Sequence, residues 1–217
     1  MKIAIIGVSG FVGSALLDEA VRRGHTITAI ARHPENIDAE SDLVTPEKVD
    51  IRNEEKLTEV LKGHEAVLNA FNAGWDNPNL YDDYLAGVKA IQRAAKAADV
   101  GRLLVVGGAG SLEIEPGKQL VDSPDFPEEY KDGALAARDY LDIIREEDEL
   151  PWTFLSPPIL MNPETKHQRT GEYRTGTDQP VFNDEGESTI SVEDLAVALL
   201  DEVENEDFVN QRFTVGY

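Results

Sequence analysis

No cysteine occurs among the 217 residues, which excludes disulfides, thiolate metal sites and cysteine nucleophiles together. No apolar run approaches the ~18 residues that a membrane-spanning helix needs. The chain enters an apolar pattern at Lys2-Ile3, leaving no room for a signal peptide. These absences lead to the expectation of a cytoplasmic protein with no membrane partner. Basic residues are scarce, 20 Lys and Arg against 42 Asp and Glu, for a net charge of −22. Such a chain repels a phosphate backbone, so nucleic acid is not expected as a partner. The acids are scattered along loops and outer helix faces and read as a solvated surface. Histidines number only 4. His167 lies in a polar stretch with Lys166 and Arg169, and no second histidine stands at ligand spacing, so no metal site is expected.

What is present is a core-forming composition, 41% hydrophobic, and one organising stretch. Ile3-Ala4-Ile5-Ile6 reads as a buried strand and runs into Gly7-Val8-Ser9-Gly10-Phe11-Val12-Gly13. From there Val12, Leu16 and Ala20 recur at a spacing of four, an amphipathic helix stopped by Gly24. Strand, glycine turn and helix in that order form the context for binding a dinucleotide. Gly7 permits the tight turn, Gly10 lets the backbone approach a pyrophosphate, and Gly13 lets the helix pack on the strand. The anion would rest on free N–H groups at the positive end of the helix.

A second strand, Thr26 to Ile30, ends in Ala31-Arg32-His33-Pro34. A domain specific for NAD usually places an acid here for the ribose hydroxyls, whereas an arginine suits a 2′-phosphate. The reading leans towards NADP, with NAD possible; the alternative is a surface arginine. A weaker third strand within 42–49 leads to Asp50-Ile51 and a helix through Leu57 and Leu61, capped by Asn53 or Asp50. The fourth strand, 65–71, ends in Ala70-Phe71-Asn72, where small residues suit close passage of the cofactor. Trp75 and Tyr81 flank the next loop and either stack on a flat ligand or pack as core. A helix over 80–98 precedes the fifth strand, 102–106, which opens into Gly107-Gly108-Ala109-Gly110-Ser111. Ligands bind at such carboxyl ends in open α/β sheets.

The proline-containing segment 113–129 reads as a loop or lid, 131–147 as a helix and 152–155 as the sixth strand. Residues 171–175 and 180–182 suggest a hairpin. Ser191-Val192-Glu193-Asp194 resembles a capping box opening a helix through Val203, and 212–215 is a final strand. The alternation predicts an α/β fold, a doubly wound parallel sheet in a single domain over 1–217. Residues 157–190 contribute a small substrate-side lobe.

The glycine turn, Val105-Val106-Gly107-Gly108-Ala109-Gly110-Ser111-Leu112, Pro151-Trp152-Thr153-Phe154-Leu155-Ser156-Pro157 and Ile190-Ser191-Val192-Glu193-Asp194 together resemble one group. It is the atypical short-chain dehydrogenases of the NADH–flavin reductase type, Rossmann-fold relatives of the NmrA-like proteins and of biliverdin reductase B. The resemblance implies that Asp50 and Ile51 contact the adenine, against a cap role for Asp50. It implies that Ser111 lies near the nicotinamide, against a turn-capping role, and that Pro157, Pro158 and Ile159 border the ring. Tyr130 either lines the pocket or is an exposed helix-start residue.

The pattern departs from typical short-chain dehydrogenases at one point. Their Tyr-x-x-x-Lys is missing, since Tyr130 is followed four positions on by Ala134 and Tyr140 by Ile144. The expected function is hydride transfer from NAD(P)H to a flavin or similar flat acceptor, by a monomer or homodimer. A non-catalytic NmrA-like redox sensor and an enzyme of nucleotide sugars are the alternatives, and the missing tyrosine–lysine pair counts against the latter.

Overall fold

A computed structural model describes residues 1–37, 41–161, 163 and 168–217; His167 and Lys166 lie outside them. β1 (Lys2–Ile6), β2 (Thr26–Ala31), β3 (Val44–Lys48), β4 (Ala66–Asn69), β5 (Arg102–Val106), β8 (Trp152–Ser156), β9 (Arg174–Gly176) and β10 (Gln211–Gly216) form one sheet. Its order is β3-β2-β1-β4-β5-β8-β10-β9. All neighbours are parallel except β9, which runs antiparallel to β10. This is the Rossmann-type α/β fold that the alternation predicts.

The strands are apolar on both faces because helices cover both. On one side α2 (Glu54–Leu61), α3 (Leu80–Ala97) and α4 (Glu128–Arg145) pack on Ile6, Val67, Leu103, Val105 and Phe154. On the other, α1 (Phe11–Arg22) and α5 (Val192–Asn205) pack on Ile3, Ile5, Leu68, Leu104 and Phe213. The chain leaves β1 towards β2 and β3, then returns to place β4 on the opposite flank of β1. That reversal opens a crevice at the carboxyl ends of β1 and β4, the usual ligand position in such sheets. Among the described residues no helix is long and apolar enough to cross a membrane.

Several local expectations need correction. The segment after β5 holds a small antiparallel pair, β6 (Glu113–Glu115) and β7 (Lys118–Gln119), because Gly117 at φ +75° supplies its turn. α4 begins at Glu128, three residues before the expected start. The proposed hairpin does not form: β9 pairs with the C-terminal strand instead, from Thr214 opposite Gly176 to Gly216 opposite Arg174. Only half of the capping box exists. Ser191 Oγ accepts from the Asp194 N–H at 3.1 Å, but Asp194 turns away to take the N–H groups of Thr170 and Gly171. The solvated reading of the acids fails for Glu19, Asp194 and Glu202, which are buried.

Candidate functional site

The three glycines of the turn have separate duties. Gly7 adopts φ +81°, and a Cβ there would lie 2.5 Å from the Ala70 carbonyl oxygen. A Cβ on Gly13 would lie 2.1 Å from the Gly7 carbonyl oxygen, so this glycine is what lets α1 sit on the turn. Gly10 is exposed, and a Cβ there would meet only the Gly7 oxygen at 3.2 Å. Its own N–H closes the turn onto that oxygen at 3.0 Å. The fold needs Gly7 and Gly13; Gly10 is small towards the crevice. Val8 is core, offering only its backbone, while Ser9 is exposed at the tip and Phe11 and Val12 are half-buried.

α1 carries no acid in its first turn and no side-chain cap. The other four described α-helices all start with acids: Glu54 and Glu55, Asp82 and Asp83, Glu128 and Glu129, Glu193 and Asp194. A helix start without an acid favours an anion by its dipole. The residues here fit a pyrophosphate.

At the end of β2, Arg32 is exposed and makes no hydrogen bond or ion pair among the described residues. His33 is exposed, with Nδ1 3.0 Å from Glu35 Oε1. Asp50 does not cap α2; Asn53 does, accepting from the Lys56 N–H at 3.1 Å. Side-chain and backbone hydrogen bonds from Arg52 hold the Asp50 carboxyl below its ordinary range. Ile51 is buried against α3, where Gly87 makes room for it and for Phe71.

At the end of β4, Asn69 is buried, and its Oδ1 accepts from the Phe71 N–H at 3.0 Å. Its Nδ2 has no partner among the described residues, a buried donor beside the turn. Ala70 donates to the Ile6 carbonyl at 2.9 Å, Phe71 stacks on Tyr84, and Asn72 Oδ1 accepts from the Gly74 N–H at 2.7 Å. The loop is organised by its own side chains.

The β5 end is equally tight. A Cβ on Gly107 would enter the Phe154 ring, and on Gly108 or Gly110 it would meet the Ala137 or Ala134 methyl at 3.3 and 2.7 Å. Ser111 is buried, and its hydroxyl and carbonyl oxygens each accept from Arg212 Nη1 at 3.3 Å. Arg212, itself buried, also pairs with Asp178. The Ser111 hydroxyl is thus tied into the protein. Pro158 is buried and Pro157 half-buried; the Ile159 N–H donates to Ser188 Oγ at 3.3 Å.

The aromatic candidates part company. Tyr81 does not face a ligand, because its hydroxyl donates to Asp139 Oδ2 at 2.5 Å and ties α3 to α4. Tyr140 is fully buried, its hydroxyl lacks a partner among the described residues, and burial pushes its pKa well above 10. Tyr130 is 45% exposed in the first turn of α4 and meets the exposed Trp75 edge to face, ring centres 5.4 Å apart. Arg212, Asp178 and Gly133, under the Trp75 ring, escaped the sequence reading. A charged residue inside the apolar pattern 212–215 was the available signal for Arg212.

Comparison with known proteins accords with this geometry. Residues 7–206 match the sequence model of a family described as NAD(P)H-binding. The uncharacterized protein YwnB of Bacillus subtilis is 42% identical over 217 residues, spanning 99% of this chain and 98% of that one. A solved structure from Bacteroides thetaiotaomicron, provisionally described as an epimerase, superposes with a TM-score of 0.91 at 44% identity, covering 100% and 96% of the two chains. One from Streptococcus pneumoniae, provisionally described as an NADH-flavin reductase, gives 0.87 at 35% identity, covering 100% and 99%.

Proposed function

The chain belongs to this NAD(P)H-binding family, and on that premise we propose that it is a reductase passing hydride from NADPH to a flavin or similar flat conjugated acceptor. The carrying observation is what the crevice lacks. Tyr140 is locked in the core, Tyr130 has Ala134 where a lysine would stand, and the Ser111 hydroxyl is held by Arg212. No tyrosine–lysine pair is available to protonate a carbonyl oxygen as charge develops on it. A conjugated ring spreads that charge and takes its proton from solvent.

When bound, the dinucleotide supplies the hydride. Around it the chain's part is to bind and orient. The Gly10 turn receives the pyrophosphate, Arg32 receives a 2′-phosphate, and 107–111 with Pro157, Pro158 and Ile159 wall the reacting ring. Holding two rings at reacting distance is a positioning effect, which alone lowers barriers substantially. The Streptococcus relative's description supports the same acceptor class. The epimerase description of the Bacteroides structure points elsewhere, but removing a proton in such a reaction calls for a placed acid–base group, and the tyrosine–lysine pair is missing.

The test is oxidation of NADPH and NADH with flavins, quinones and simple ketones as acceptors. Flavin turnover with negligible ketone turnover is expected. Arg32→Ala weakens NADPH about ten-fold and spares NADH, the loss of one charge-assisted contact. Ketone reduction that collapses about 100-fold in Tyr130→Phe, the scale of general acid catalysis, overturns the mechanism.

A further inference from the structure

Trp75 and Tyr130 are the two largest aromatic side chains that the fold leaves in solvent at the carboxyl edge of the sheet. Trp75 is 57% exposed and Tyr130 45%, yet both are fixed. The Trp75 ring lies on the backbone of α4 at Gly133, where an added Cβ would be 2.9 Å from it and 3.3 Å from Leu80. Tyr130 braces it at 85° between ring planes. The loop that carries Trp75 is held by Asn72 and by Asn77, whose Nδ2 donates to Asp83 at 2.8 Å. One and two turns along α4 from Tyr130, Ala134 and Ala137 lie against Gly110 and Gly108. The aromatic pair therefore stands beside the glycine wall of the crevice.

The surroundings of this pair are acidic. Asp76 adjoins Trp75, Glu128 and Glu129 share the first turn with Tyr130, and Asp132 precedes Gly133. The nearby cation, Lys131, is 3.5 Å from Glu128 and serves that carboxylate. Exposed aromatic faces attract flat rings by stacking, while carboxylates within a Debye length repel anions.

We propose that Trp75 and Tyr130 form a fixed aromatic clamp for the acceptor, and that the clamp selects flat rings without anionic arms, riboflavin-like rather than phosphorylated. This rests on the reductase reading above and specifies its substrate class. The balance is that of any such reduction: the acceptor gains hydride and one solvent proton, and NADPH leaves as NADP⁺. Trp75 and Tyr130 make and break no bond.

The chain holds 2 tryptophans, and the other, Trp152, is buried at 3% exposure, so fluorescence isolates Trp75. Riboflavin is titrated with NADP⁺ present, when no hydride can move. The expected result is saturable quenching that Trp75→Phe largely removes, leaving the Trp152 signal. In turnover, Trp75→Ala raises KM for riboflavin about ten-fold, the scale of one lost stacking contact, with KM for NADPH and melting temperature unchanged. At low salt FMN performs about five-fold or more worse than riboflavin, and the gap narrows towards 1 M salt as screening shortens to about 3 Å.

Unchanged riboflavin kinetics in Trp75→Ala overturn the clamp while leaving the reductase reading intact. Equal use of FMN and riboflavin at low salt overturns the selection against anions. Saturable quenching of Trp75 without any NADPH-dependent reduction keeps the clamp and overturns the reductase reading.

Discussion

At the first crossover the structure is made by what side chains leave out. Gly7 and Gly13 pack backbone on backbone, Gly10 opens the turn outward, and α1 starts without a charge. Where distant segments meet, it is made by long charged side chains reaching across the fold. Arg102 donates to Glu202 Oε1 at 2.8 Å and to two carbonyls of α5. Arg169 grips Glu19 through two hydrogen bonds of 2.7 and 2.8 Å, Tyr173 donates to Asp201, and Arg212 to Asp178. The contrast follows from how far apart in sequence the partners lie. The turn is shaped by close backbone sterics, whereas segments such as 168–178 and α5 are tied to distant elements. Directional, charge-assisted bonds do that without needing a core of their own.

The most severe way to break the second region is to orphan its buried charge. Arg102→Ala leaves Glu202 without its cation and lowers stability by about 3 kcal/mol, a fall of roughly 10 °C in melting temperature. Arg102→Met with Glu202→Gln recovers part of it, because the amide needs no cation and its oxygen still accepts from the Asp207 and Phe208 N–H groups. A single mutant that melts like the parent removes the claim that this pair fastens α5 to β5.

The first region breaks differently at two neighbouring glycines. Gly13→Ala drives a methyl into the Gly7 carbonyl and costs about 2 kcal/mol of stability. Gly10→Ala changes stability by less than about 0.5 kcal/mol, because Gly10 already has extended backbone angles, φ −86° and ψ 170°. Gly10→Val folds but loses at least about ten-fold in NADPH affinity, measured by titration. Equal melting of the Gly10 and Gly13 variants erases the division of labour between them.

The mildest test uses pH. Hydrogen bonds from Arg169, ahead of those from Arg23, hold the Glu19 carboxyl below 4.5 despite its burial. A folded pKa lower than the unfolded one means stability present above pH 4.5 and lost as pH falls through the folded value. Above pH 5, Glu19→Gln is less stable than the parent by about 1 kcal/mol. The difference shrinks as denaturation is measured at progressively lower pH below 4.5. A difference constant down to pH 3 places the stabilisation in packing rather than in the ion pair.

The same contrast governs how much the sequence discloses. The glycine turn, the core strands and Asn53 as a cap are readable because each carries a local signal, a glycine spacing, an unbroken apolar run or a capping side chain, even where its partner is distant. β9 is not, because its partner lies 38 residues away, Gly176 to Thr214, across the whole of α5. Ser191 shows one arm of a capping box in sequence, but Thr170 and Gly171 compete for the Asp194 carboxylate, and the distant donors win. The buried acids are hidden for a simpler reason. Among 42 acidic residues, composition cannot single out the few whose cations come from elsewhere in the chain. Ser111 and Tyr81 are similar: their positions in sequence are correct for a site, and Arg212 and Asp139 claim their hydroxyls.

β10 lies between β8 and β9, and β9 has no other neighbour in the sheet. β9 is made before the strand it pairs with, so it has no sheet partner until β10 follows. β10 supplies that strand and brings Arg212 to Ser111, and the Tyr217 carbonyl just after it accepts from Arg174. β9, held through one neighbour alone, is thus the part of the sheet whose amide hydrogens exchange first.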